Sequence, residues 1–145
     1  MRKLVLGLAV IAAFASCKKS DTPANNCTAS TSTIAGTYKI SAIKYKADAA
    51  STEQDLFSNL PDCQKDDTYQ LNADGTVVFA DAGVSCGLPP SPGLPTNWTL
   101  ESNNTIIKMA EFSLKISSFD CTTLVVTESD TFAAGDTKTT TYVKQ

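Results

Sequence analysis

A chain of 145 residues with 12 basic and 15 acidic side chains and no histidine is sized for a single domain. It lacks the Lys and Arg clusters that displace counterions from nucleic acid, so no nucleic-acid partner is expected. Without histidine, a Ser or Cys nucleophile has no usual base, and the sequence holds neither a Gly-rich phosphate loop nor a close metal-ligand set. The expectation is a protein that is not an enzyme and uses no metal or other cofactor.

Arg2 and Lys3 supply a positive head to an apolar run over residues 4–14. That run is shorter than the ~20 residues needed to span a bilayer, which predicts a removable signal. Its end, Phe14-Ala15-Ser16-Cys17, resembles the lipobox of bacterial lipoproteins. The resemblance implies a signal peptide over 1–16, cleavage before Cys17, and a thioether-linked diacylglycerol with palmitate-like acyl chains on Cys17. It also implies the outer membrane, since no Asp follows Cys17, with the periplasmic or external face open. Ala13-Phe14-Ala15 equally fits an ordinary secretory cleavage pattern, which would leave Cys17 unmodified. The cysteine count weighs for lipidation, because setting Cys17 aside leaves the even set Cys27, Cys63, Cys86 and Cys121.

Cleavage before Cys17 would remove Arg2 and Lys3 with the rest of residues 1–16 and leave 129 residues with ten basic and fifteen acidic groups, a net charge of −5. Residues 17–33 are rich in Ser, Thr, Asn and Lys and nearly free of large apolar groups, which reads as a lipid-anchored flexible tether. A coil of this length reaches roughly 20 to 25 Å. The folded domain is expected over 34–145.

Beyond Ile34 apolar residues recur with period two, and Thr, Val, Ile and Tyr abound, which predicts strands. The first covers 36–46, with Tyr38, Ile40 and Ala42 on one face. Strands over 68–71 and 76–80 flank Asn72-Ala73-Asp74-Gly75, a hairpin signal because Gly accepts the positive φ of such turns. A strand over 98–101 turns at Asn103-Asn104 into one over 105–109. Phe112, Leu114 and Ile116 alternate with polar residues in the sixth, Leu124 and Val126 face inward in the seventh over 122–128, and the eighth covers 138–143 with Thr140 and Tyr142 inward. One short helix is predicted over 51–60, from the capping-box spacing of Ser51 and Gln54 and the stop at Pro61.

Eight short antiparallel strands in sequence order predict an all-β, up-and-down β-barrel, since closure removes both exposed edges; a sandwich is the alternative. The segment Ile34-Ala35-Gly36-Thr37-Tyr38 is similar to the Gly-x-Trp opening of lipocalins, with Tyr in place of Trp. Together with the hairpin over 63–79, the strand Asn97-Trp98-Thr99-Leu100 and the pair over 112–126, it gives a chain that resembles lipocalin-like domains of bacterial envelope lipoproteins. That resemblance implies a barrel, often with an apolar pocket, and no shared catalytic residues.

Connections after strands one, three and seven are long and those after two, four and six are short, which predicts a looped mouth opposite a tight base. Cys63 and Cys86 then fall at the mouth, and Cys121 and the tether-borne Cys27 at the base. Because bridged Cα atoms must approach within about 7 Å, the expected disulfides are Cys63–Cys86 and Cys27–Cys121. If strand five ran straight through Ala110 into strand six, seven strands would place Cys121 at the mouth instead. The acids Glu53, Asp55, Asp62, Asp66 and Asp67 crowd the first mouth loop, match no calcium-loop spacing, and read as solvated. Leu88 and Leu94, on the proline-rich loop over 87–95, suggest a lid or contact surface, or a plain connector.

Two functions follow. In the first, a monomer anchored to the membrane through Cys17 binds a small apolar or amphipathic ligand at its mouth, lined by Tyr38, Ile40, Tyr69, Leu71, Phe79, Trp98, Phe112, Leu114, Leu124 and Tyr142. In the second, the same side chains fill the barrel, which acts as a structural or interaction module through its loops. An enclosed apolar space of roughly 300 Å³ would favour the first and its absence the second.

Overall fold

The computed structural model describes residues 27–87, 96–109 and 112–145. The segment read as a signal, Cys17 and the expected tether up to residue 26 lie outside the described residues, as do Leu88, Leu94 and the turn expected at Ala110. Among the described residues nine strands run in chain order: β1 (Gly36–Lys46), β2 (Gln54–Asp55), β3 (Thr68–Leu71), β4 (Thr76–Ala80), β5 (Thr96–Glu101), β6 (Ile106–Met109), β7 (Phe112–Phe119), β8 (Thr123–Ser129) and β9 (Thr137–Lys144). All neighbours are antiparallel, and β1 pairs with β9 from Tyr38 opposite Lys144 to Lys46 opposite Thr137. That ladder closes an eight-stranded up-and-down barrel from β1 and β3 to β9, with β2 as a short addition on the outer part of β1. Closure excludes the sandwich. Met109 stands opposite Phe112, so β6 and β7 are separate strands and the seven-strand alternative does not occur.

Turn chemistry follows the residues. Gly75 has φ of 86°, and the Asp74 carboxylate accepts the Thr76 amide and hydroxyl at 2.9 and 2.7 Å. Ser102, Asn103 and Asn104 form a run of positive φ, a conformation that Asn tolerates better than most side chains. Both turns lie at the base.

Two bulges shift the expected alternation. Ile40 pairs with Tyr142 and Ala42 with Thr141, leaving Ser41 extra. Ile43 thus stands opposite the buried Thr140 and takes the inward position that simple alternation assigns to Ala42. A second bulge at Ser117 places Phe119 opposite the buried Leu124. An extra residue on one strand flips every later side chain, and period-two counting has no means of locating it.

The predicted helix over 51–60 is replaced by β2, a 3-10 turn at Phe57–Asn59 and a four-residue helix α2 at Asp62–Lys65 that follows Pro61. β3 covers only Gly36 to Lys39 of β1, so the outer half of β1 needs another partner on that edge. Lys44 and Tyr45 pair with Asp55 and Gln54, and the Leu56 amide donates to the Ile43 carbonyl at 2.9 Å. Sheet-edge hydrogen bonding outweighs a local helical preference. The short helix in the first long loop exists, but further along the chain.

Structured chain also reaches back into the segment read as tether. Helix α1 (Thr31–Ile34) starts at a capping box between Ser30 and Thr33 and seals the base. Ile34 is fully buried. Its carbonyl accepts the Tyr38 hydroxyl at 2.6 Å, and the Lys144 ammonium donates to the Thr33 carbonyl at 2.9 Å. Cys27 bridges Cys121 with Cα atoms 5.6 Å apart, while Cys63 bridges Cys86 at the mouth at 5.1 Å. This is the pairing that the sorting of loops between the two ends requires.

Two stability outcomes follow. Tyr38→Phe strands a buried carbonyl, and the loss is expected at about 1 to 3 kcal/mol in chemical denaturation. Replacing both Cys27 and Cys121 by Ala is expected to lower stability by about 2 to 4 kcal/mol, while the barrel's far-UV circular dichroism is retained.

Candidate functional site

The barrel interior is nearly full. Ile34, Tyr38, Leu71, Val77, Trp98, Ile107, Leu114, Leu124 and Val126 form one buried cluster, with Tyr142, Met109 and Phe119 packed against it. Among the described residues, the enclosed apolar void holds about 20 Å³, room for little more than one water. Six of the ten expected lining residues border it: Tyr38, Tyr69, Leu71, Leu114, Leu124 and Tyr142. Ile107, Met109 and Val126 also border it; Val126 is expected from the sequence to face inward but is not among the ten lining residues, and neither are Ile107 and Met109.

The other four sit elsewhere. Trp98 is 2% exposed, and its indole N–H donates to the Asn72 carbonyl at 2.9 Å, which locks it near the base. Phe79 lies tilted against Tyr69 at 5.3 Å between ring centroids, and Ile40 pairs with Tyr142 in the wall. Phe112 stands at the rim, 63% exposed. The four contribute packing or rim surface, and none borders the void.

Open space is found at the mouth. A cleft of about 210 Å³ has Tyr69, Met109, Leu114 and Tyr142 as its floor, Phe112 on one side and the Glu128–Lys138 pair on the other. The ion pair closes at 2.6 Å between cross-strand partners. Burial raises the hydroxyl pKa of Tyr142, and burial followed by the Asp67 charge raises that of Tyr69. Both phenols are therefore neutral and lie edge to face at 5.6 Å. A second cleft of about 290 Å³ continues sideways past Phe112, Ser113, Glu128, Ser129, Asp130 and Thr131.

The rim is built on two aspartates that sequence reading did not single out as structural. Asp136, 0% exposed, accepts the amides of Thr131, Phe132 and Ala133 at 2.7 to 2.8 Å and the Tyr45 hydroxyl at 3.2 Å. This fixes the loop over 130–136 and holds the exposed Phe132 ring 5.4 Å from Tyr45. Burial opposes the Asp136 charge, but the Phe132, Ala133 and Thr131 amides and the Tyr45 hydroxyl outweigh it and hold the carboxyl below its usual range. Asp67 corrects the expectation of solvated acids: it is buried, and one carboxylate oxygen has no hydrogen-bond partner among the described residues. Its pKa is raised, first by burial and then by Asp81 and Asp66, against the Ala82 amide. Among the described residues no three metal-ligating side chains converge.

No protein-family profile matches the chain, and no curated protein matches its sequence.

Asp136, with its lowered pKa, supports the loop above the ordinary Asp pKa of about 3.9 and loses that contribution as pH falls through the folded value. The Tyr45–Phe132 nuclear Overhauser contacts should accordingly fade in acid, and Asp136→Asn should weaken them already at pH 7. Asp67 carries the opposite sign, since a raised carboxyl pKa favours folding in acid and costs stability once ionised. Asp67→Asn should therefore raise the melting temperature at pH 7, with the gain shrinking below about pH 4.

Proposed function

We propose that this protein is a lipid-anchored, lipocalin-like interaction module of the bacterial outer membrane, non-catalytic, whose barrel is a rigid mount and whose mouth meets a partner. The observation that carries the reading is the contrast in space: a void of about 20 Å³ inside against clefts of about 210 and 290 Å³ at the mouth. A filled barrel has no room for a drug-sized guest, for which pockets of about 300 Å³ and more are usual. Val84, Phe112 and Phe132, the large hydrophobic residues exposed among the described ones, all belong to mouth segments. The chain enters at the opposite pole through Cys27, which favours a mouth directed away from the membrane that Cys17 would hold. Two disulfides suit an oxidising compartment.

A second reading rests on the apolar floor of Tyr69, Met109, Leu114 and Tyr142: a small amphipathic molecule seated shallowly in the mouth rather than deep in the barrel. Native mass spectrometry of protein drawn from its own envelope separates the two. A stoichiometric small adduct would favour the second reading and remove the first. For the first, a photo-crosslinking residue at Phe132 should give one discrete protein adduct in intact cells, and the same residue at Asn103 on the base should give none; equal adducts from both poles would sink it. Cys17→Ala should abolish incorporation of an alkyne-labelled fatty acid and release the protein from membranes, and continued labelling would refute the anchor.

A further inference from the structure

The wall of the barrel is not hydrogen-bonded along its whole height. Among the described residues, the β7–β8 ladder stops toward the mouth at Lys115 opposite Thr127. Both strands continue further: β7 begins at Phe112 and pairs with β6 over its first residues, while β8 runs to Ser129 and pairs there with β9. Each thus keeps its outer neighbour and parts from the other. The cleft of about 290 Å³ bounded by Phe112, Ser113, Glu128, Ser129, Asp130 and Thr131 lies in this seam.

Hydrogen-bond parity identifies the groups that face it. The Ile116 amide donates to the Thr105 carbonyl on the β6 side, so Ser113 and Lys115, an odd number of residues away, direct their main-chain groups toward β8. On β8, the Thr122 carbonyl accepts the Lys144 amide and the Asp130 amide donates to the Asp136 carbonyl, which turns even-numbered residues toward β9. Thr127 and Ser129 therefore face β7. Lys115 and Thr127 pair, and the next rung, Ser113 with Ser129, is open. Two causes part the strands: the bulge at Ser117 bends β7, and Asp130, with φ of 55°, draws the end of β8 toward the loop gathered on Asp136.

We propose that this seam accepts an extended peptide segment as an added strand, with its main chain bonding Ser113 on one side and Ser129 on the other. The inference rests on the interaction-module reading and names the partner's form. The seam also sets the side-chain pattern. An inward residue meets Phe112, which also lines the neighbouring apolar cleft of Leu114 and Tyr142, and should be apolar, while an end residue meets Asp130. Glu128 is already matched by Lys138, whereas Asp130 has no ion-pair partner among the described residues, so that end residue should be Lys or Arg. Phe112, 63% exposed, flanks the opening and would be covered.

The test uses the intact, oxidised, 15N-labelled protein and a capped hexapeptide, Val-Thr-Val-Thr-Val-Lys. Binding should slow hydrogen exchange at the Ser113 and Ser129 amides by about tenfold or more. An analogue with its third and fourth residues, one Val and one Thr, both replaced by Pro presents no central N–H to either edge and should give no protection. Exchanging Lys for Glu in the peptide should weaken binding about tenfold, as should Phe112→Ala in the protein. Unchanged exchange at both amides overturns strand addition, as does equal protection by the Pro analogue. If the peptide instead perturbs only Tyr69 and Tyr142, strand addition fails while a partner-binding mouth survives. The crosslinking contrast between the two poles decides that broader reading independently.

Discussion

The first and last strands meet along almost their whole length, and the shape of the molecule depends on that ladder. Eight pairs join β1 to β9, from Tyr38 with Lys144 to Lys46 with Thr137. Without them the sheet would expose a long β1 edge and a long β9 edge, each able to recruit another chain. With them, the short connections β3–β4, β5–β6 and β7–β8 collect at one pole, and the long ones after β1, β4 and β8 lie at the other, together with the two-residue connection from β6 to β7. Because β1 is longer than the strand beside it, its outer half takes up β2, which in turn fixes the course of the first mouth loop.

Closure also explains why the interior has so little free volume. Eight strands give a lumen that side chains can just fill, and here Tyr38, Trp98, Ile107, Leu114 and Leu124 fill it, with Ile34 as a plug from below. The plug is tied down by several modest interactions of different kinds: a disulfide, a buried tyrosine hydroxyl on a helix carbonyl, and a lysine that reaches Thr33 while lying 5.6 Å from the Tyr38 ring centroid. Burial pushes the Tyr38 hydroxyl pKa up to about 12, so the group stays a neutral donor throughout the physiological range. Base and mouth thus differ in kind, one sealed by covalent and hydrogen bonds, the other left with aromatic rings, an ion pair and an interrupted ladder.

Rigidity at the rim comes from carboxylates rather than from packing. Asp136 gathers three amides and a phenol, and Asp66 accepts the Val84 amide at 2.7 Å beside the Cys63–Cys86 bridge. Charged acceptors make strong hydrogen bonds to backbone N–H groups. They can therefore hold exposed apolar side chains such as Phe132 and Val84 in place without burying them. That combination keeps the apolar groups apart, because hydrophobic groups free to collapse would cover one another.

The eight barrel strands and their order, the positions of the hairpin turns and the disulfide pairing were all legible in the sequence, because each depends on local pattern or on counting alternate ends. Period two marks strands, Asp-Gly and Asn-Asn mark turns, and loop lengths assign each cysteine to a pole. The inward registers beyond Ser41 and Ser117, the conversion of residues 54–55 into a strand, the burial of Asp67 and Asp136, and the open rung between Ser113 and Ser129 were decided only by tertiary structure. Each depends on which backbone groups remain unpaired once neighbouring strands of unequal length are laid side by side. That mismatch is a property of the assembled sheet, and no single segment carries it.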